Sequence, residues 1–225
     1  MSAADEVCKL AYDGNFPQFK LKVDNNPSLA SAVDSSGRRP LLWAACGGHM
    51  DIVEYLLRLK VDVNAWDETS WTPLMIAASA GREEIVRILI SHGAYIDASN
   101  SSGQSPLHYA ASKDRPGITK ILLENGADPN KTDYYGHTPL HRAASKGNAK
   151  IVKLLLEHQV DLDPRDATGS TPLHMACEDD KAEVAYILVD HGARVDILNN
   201  DKKTPLDVAP RGLRASIKAR LEPDR

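Results

Sequence analysis

Between Gly136 and Gly147 the apolar residues Leu140, Ala143 and Ala144 fall on one face at helical spacing. Thr138 is placed to cap this short helix. Pro139 takes its first position, where a missing N–H costs nothing. Gly147 supplies the left-handed residue that a tight stop needs. A second apolar run, Ile151, Val152, Leu155 and Leu156, predicts a helix over 149–158. The polar stretch through Asp163 and Asp166 to Gly169 then reads as a turn. Neither helix buries its apolar stripe alone, so such a unit must stack on neighbours.

The neighbours are copies. Proline stands at Pro40, Pro73, Pro106, Pro139, Pro172 and Pro205, always 33 positions apart. Leucine follows each proline, and alanine follows four residues later, from Ala44 to Ala209. A period of 33 with the run T-P-L-H resembles the ankyrin repeat. That resemblance implies an all-α ankyrin-repeat solenoid of about seven repeats: helix-turn-helix units joined by β-hairpin-like turns, with a concave binding face. The whole chain, 1–225, reads as a single domain. Residues 3–36 form an N-terminal cap, internal repeats run 37–69, 70–102, 103–135, 136–168 and 169–201, and 202–225 form a truncated C-terminal cap.

Departures from the pattern carry their own expectations. In the first unit Val7 stands 33 before Pro40, in the proline slot, which puts Cys8 in the leucine slot. Phe16, Phe19, Leu21 and Val23 supply its apolar second half. Lys60 and Gln159 replace the glycine that closes the second helix elsewhere, so either they adopt a left-handed conformation or the turn differs there. In the last unit Pro210 and Gly212 cut the first helix short. Leu213, Ile217 and Leu221 should bury, while Arg214, Lys218 and Arg220 face water.

Composition narrows the function. With 27 basic and 31 acidic residues the net charge is −4, which argues against a nucleic-acid-binding array, since that needs a basic face. No apolar run approaches the length of a membrane span. Met1 to Glu6 lack the basic and apolar regions of a signal peptide, and an intracellular, cytoplasmic and nuclear location is the expectation. Cys8, Cys46 and Cys177 form no metal-ligand spacing; Cys8 and Cys177 should be buried and Cys46 more accessible. His108, His141 and His174 read as structural, because Leu42 and Met75 fill the same slot without breaking the pattern. No catalytic constellation, phosphate loop or cofactor motif is present, so a non-enzyme without cofactor or metal is expected. Glu178, Asp179 and Asp180 read as a charged surface.

Function should then lie where the copies differ. Two before each proline stand Arg38, Trp71, Gln104, His137, Ser170 and Lys203. Three after it stand Trp43, Ile76, Tyr109, Arg142 and Met175. Seven after it stand Gly47, Ala80, Lys113, Lys146 and Asp179. These rows should line the turn tips and the exposed side of the first helices, a strip suited to another protein. Arg38, Trp43, Trp71 and Glu68 mark its N-terminal third, Tyr109, Lys113, Tyr134, Tyr135, Arg142 and Lys146 its middle, and Glu178 and Asp179 its acidic end. Aromatic residues and arginine in one strip are the usual anchors of an interface. The alternative for Trp43 and Trp71 is packing between adjacent repeats.

The segments LLWAACGGH (41–49), WTPLMIAASAGREEIV (71–86), SPLHYAASKDR (105–115), HRAASKGN (141–148) and PLHMACEDDK (172–181) resemble the gankyrin family across nearly the whole chain. The resemblance implies an assembly chaperone of the proteasome regulatory particle. Its partner would be the C-terminal domain of one regulatory-particle ATPase subunit, the third in the ring, held by the concave face. Arg38, Trp43, Trp71 and Lys113 match contact positions of that family, and Asp179 matches an acidic one; Leu198 departs from another. The family's links to a cyclin-dependent kinase and to ubiquitin-ligase regulation leave a competing reading, a general interaction module. The retinoblastoma-linked L-x-C-x-E run of mammalian members is replaced here by Met175, Ala176, Cys177, Glu178 and Asp179, and that activity is not carried over. A monomer is expected.

Overall fold

The computed structural model describes residues 1–221; of the expected terminal unit, 222–225 lie outside it. The described residues form fourteen α-helices in seven pairs and no strand. The pairs are α1 (Ala3–Asp13) with α2 (Phe16–Asn25), α3 (Pro40–Gly47) with α4 (Met50–Arg58), and α5 (Pro73–Ala80) with α6 (Glu83–Ser91). There follow α7 (Pro106–Ser112) with α8 (Pro116–Glu124), α9 (Pro139–Lys146) with α10 (Ala149–Leu156), α11 (Pro172–Glu178) with α12 (Ala182–Asp190), and α13 (Pro205–Val208) with α14 (Arg211–Leu221). A 3₁₀ turn, Pro27–Ser31, follows α2.

The chain divides into two compact units, one of Met1–Tyr109 with Glu124–Ala127, the other of Ala110–Leu123 with the chain from Asp128 on. In the first, α1, α3 and α5 pack in succession, and α2, α4 and α6 do the same behind them. In the second, α9, α11 and α13 form one row and α10, α12 and α14 the other. The repeat leucines Leu41, Leu74, Leu107, Leu140 and Leu173 are at most 2% exposed, and the alanines beside them are buried. Small residues let the first helices approach closely, and Ile, Val and Leu of the second helices fill the space behind.

Local chemistry sets each unit's start and stop. Thr138 accepts from the His141 N–H, and Thr72, Thr171 and Thr204 cap their helices in the same way. Lys60 and Gln159 do adopt left-handed backbone, with φ of 58° and 46°, so the turn is kept and the residue is strained into it. Ser70, Lys202, Asp114 and Asp180 are the other non-glycine residues with positive φ, and each occupies a slot that glycine fills in other repeats. The period therefore governs backbone conformation even where the residue resists it.

The caps depart from expectation in register and burial. Gly14, left-handed at the end of α1, lies 34 before Gly48, its counterpart after α3. The Cys8 Sγ reaches the Arg38 carbonyl at 3.6 Å, just as the His141 Nε2 reaches the Ser170 carbonyl at 3.1 Å. Both carbonyls stand two before a proline. Cys8 thus sits in the histidine slot and Val7 in the leucine slot, one residue from the expected alignment. The compensating extra residue lies in the 3₁₀ connection. Leu221, expected to bury, is 44% exposed, and Leu21, in the apolar second half of the first repeat, is 58% exposed. The second helix of the fifth pair ends at Leu156 rather than 158, and Leu156 is only half-buried. Arg220 is not simply solvated: it holds both Asp190 oxygens, at 2.6 and 2.9 Å, and stacks on Tyr186.

Candidate functional site

The site grows out of the turn that precedes each proline. Six residues before it stands Asp34, Asp67, Asn100, Asp133, Asp166 or Asn199. Its backbone N–H donates to the carbonyl four residues on, as Asp67 does to Trp71 at 3.1 Å, one hairpin-like bond per turn. Its Oδ1 accepts backbone N–H groups two and four residues on, as from Thr69 and Trp71 at 3.0 Å each. This arrangement sets the residue three after the proline against its own turn's side chain, as Trp43 against Asp34, and lets the residue two before it reach the following turn, as Arg38 reaches Asp67.

In the first unit the result is a cluster. The Trp43 Nε1 donates to the second oxygen of Asp34 at 2.6 Å. The Arg38 guanidinium lies over the Trp43 ring, 4.9 Å from its centroid, and its Nε donates to the Asp67 Oδ2 at 3.0 Å. Burial alone would raise the Asp67 carboxyl, but bonds from Trp71, Thr69 and Arg38 hold it below the ordinary carboxylate range. Ser36, Arg38, Trp43, Asp67, Glu68 and Thr69 line a cleft of about 220 Å³, which brings together three of the expected site residues, Arg38, Trp43 and Glu68. Trp71 stacks on Tyr109 with ring centroids 4.2 Å apart, and the Tyr109 hydroxyl donates to Gln104 at 2.6 Å.

In the second unit Arg142 pairs with the buried Asp133. His137 lies 3.5 Å from an Asp133 oxygen and 3.4 Å from one of Asp166. Lys113, Lys146, Glu178 and Asp179 are all exposed near the ends of their first helices, and Tyr134 and Tyr135 are exposed at a turn tip.

Several expectations need correction. Trp43 and Trp71 are half-buried, and each packs on an adjacent repeat, Trp43 against Tyr12 and Trp71 against Tyr109. Ile76, on the strip by sequence, is 4% exposed and belongs to the core. Arg38 is engaged within the protein, since its ion pair with Asp67 ties the turn before α3 to the turn before α5. The exposed tryptophan is Trp66, at 60%, which comparison of the three variable rows missed because it stands seven before its proline. Aligning that further row, with Val33, Ser99, Thr132, Arg165 and Leu198, would have revealed it as the lone aromatic.

The histidines show no catalytic geometry. The His141 Nδ1 accepts from Thr138 N–H at 3.1 Å and its Nε2 donates to Ser170 O; His174 repeats this with Thr171 and Lys203. Among the described residues no group of His, Cys, Asp and Glu converges as a metal set, and no helix is long and apolar enough to cross a membrane.

Comparison with known proteins agrees with this construction. The family model for ankyrin repeats in three copies matches residues 7–100, 96–166 and 159–218. Over 65 residues the chain is 46% identical to the 26S proteasome non-ATPase regulatory subunit 10 of Rattus norvegicus and of Mus musculus, and 47% identical to that of Homo sapiens. The matched segment spans 29% of this chain and 28%, 28% and 29% of those relatives. Capped prolines, buried alanine rows and histidines reaching the next repeat recur along the length that the family model matches, and the chain belongs to the ankyrin-repeat family.

Proposed function

We propose that this protein is a non-enzymatic binding scaffold, an assembly chaperone of the proteasome regulatory particle that holds the C-terminal domain of one ATPase subunit. The observation that carries the proteasome reading is the 65-residue match to a subunit named for the 26S proteasome. The strip supports a protein partner: an arginine stacked on tryptophan beside an open cleft, a Trp71–Tyr109 stack, and exposed lysines followed by exposed carboxylates. Aromatic groups and arginine anchor interfaces, while rim charges steer approach and set orientation. Arg38, Trp43, Glu68, Trp71 and Tyr109 supply contacts from the first unit. Lys113, Arg142, Lys146, Glu178 and Asp179 supply them from the second. The protein acts as a monomer in cytoplasm and nucleus.

Affinity capture from lysate should bring down free ATPase-ring precursors without the core particle. Capture of a cyclin-dependent kinase or a ubiquitin ligase in their place would overturn the chaperone reading in favour of a general regulatory module. In calorimetry against the ATPase C-terminal domain, Trp71→Ala should weaken binding by roughly 2 kcal/mol or more. Lys113→Glu with Lys146→Glu should slow association and change its salt dependence. Arg211→Glu with Lys218→Glu, on the exposed side of α14, serves as control; Arg220 is unsuitable because Asp190 holds it. Loss of binding in the control with normal binding by the strip variants would place the interface elsewhere.

A further inference from the structure

The two oxygens of each turn carboxylate divide their work. Asp34 Oδ1 accepts from Ser36 N–H at 2.9 Å and Arg38 N–H at 2.9 Å, while Oδ2 takes the Trp43 indole N–H. Asp67 Oδ1 holds Thr69 and Trp71, while Oδ2 takes the Arg38 Nε. Asp133 Oδ1 holds Tyr135 at 2.9 Å and His137 at 3.0 Å, while Oδ2 takes Arg142. The third turn has asparagine. Its Oδ1 still holds Ser102 and Gln104 at 3.0 Å each, but its Nδ2 donates to the Tyr109 hydroxyl at 2.8 Å. The match is chemical. Trp43 and Arg142 offer only donors and face a carboxylate; a tyrosine that already donates to Gln104 needs a donor, and faces an amide. The turn itself is indifferent, since Asn100 and Asn199 build the same Oδ1 bonds as the aspartates.

We propose that these turn residues are positioning residues for the partner-binding strip: Asp34 orients Trp43, Asp67 orients Arg38 and Asp133 orients Arg142, each through the oxygen its turn does not use. The inference rests on the strip being the binding face. A side chain locked before binding loses less freedom on contact, so the effect appears as affinity rather than as fold.

Asp34→Asn isolates the effect. It keeps Oδ1 for the turn and sets an N–H donor against the Trp43 N–H. The indole resonance of Trp43, assigned by its loss in Trp43→Phe, should move to the field of a weaker hydrogen bond, while thermal stability stays near that of the parent. Binding to the ATPase C-terminal domain should fall roughly three- to tenfold, the cost of ordering one freed side chain. In the Trp43→Phe background Asp34→Asn should cause no further loss. An unchanged indole resonance, or an equal loss in both backgrounds, overturns the proposal. If the parent protein does not bind that domain, the proposed partner fails and the resonance alone decides the positioning role. Should Asp34→Asn not fold, Asp133→Asn poses the same question to Arg142, whose guanidinium resonances must shift or the proposal fails.

Discussion

His141 should make the stability of this protein depend on pH in a predictable sense. Its ring is fully buried. The Nδ1 accepts from the Thr138 N–H, and the Nε2–H donates to the Ser170 carbonyl of the next repeat at 3.1 Å. Protonation would set a second N–H against the Thr138 donor and bury a charge. Burial therefore lowers the pKa to about 4; nearby His137 pushes the same way, while the Ser170 bond, Asp166 and Asp133 only partly oppose it. The unfolded chain protonates near the ordinary value of about 6.5. Between these values the unfolded state binds the extra proton, so stability falls with falling pH. The contribution is complete above about pH 6.5 and lost by about pH 4. The gap of about two and a half decades in proton affinity corresponds to roughly 3 kcal/mol, about 2 of which should be gone by pH 5. His174, lowered first by burial, adds in the same direction. Urea denaturation at constant ionic strength, for the parent and for His141→Met, should show the stability difference between them change by about 2 kcal/mol from pH 7.5 to 5. Methionine suits the slot, as Met75 shows two repeats earlier. Parallel profiles, or a ring titration of His141 near 6.5, would refute the reasoning.

Three further outcomes follow from packing. Leu140→Ala removes a fully buried side chain of α9 and should cost about 2–5 kcal/mol in chemical denaturation; a loss under about 1 kcal/mol would mean that the stacking register is wrong. Cys177 is fully buried and its thiol is pushed up to about 12 by burial, so thiol reagents should label half-buried Cys46 first in the native protein; rapid labelling of Cys177 would contradict its place in the core. Arg220→Ala frees Asp190 and uncovers Tyr186, so amide exchange should rise in α14 while the central repeats stay protected; unchanged exchange there would mean that the clamp is idle.

Much of this protein was determined by sequence alone, because its signals are local and repeated. Proline, leucine and alanine act over a few residues of chain, and six copies of them at a spacing of 33, most with a helix cap and several with a glycine stop, remove the ambiguity that a single short helix would carry. The histidine slot was readable for the same reason: Leu42 and Met75 show that nothing chemical depends on it. The match between turn residue and strip residue was present as well, in Asp34 with Trp43 and Asn100 with Tyr109, but without coordinates the nine-residue spacing carried no meaning. What the tertiary structure alone decided depends on which surfaces meet. Val7 slipped one slot because an extra residue in the 3₁₀ connection is invisible to a fixed period. Leu21 and Leu221 are as apolar as Leu213, yet they stay exposed while Leu213 is buried, because burial of an apolar residue depends on which surface meets it and not on its own hydrophobicity. Arg38, Trp43 and Trp71 look like free surface groups in the chain. The fold engages each of them: Trp43 is held by the carboxylate of its own turn, while a rise of one repeat brings the next turn's carboxylate to Arg38 and the next repeat's ring to Trp71.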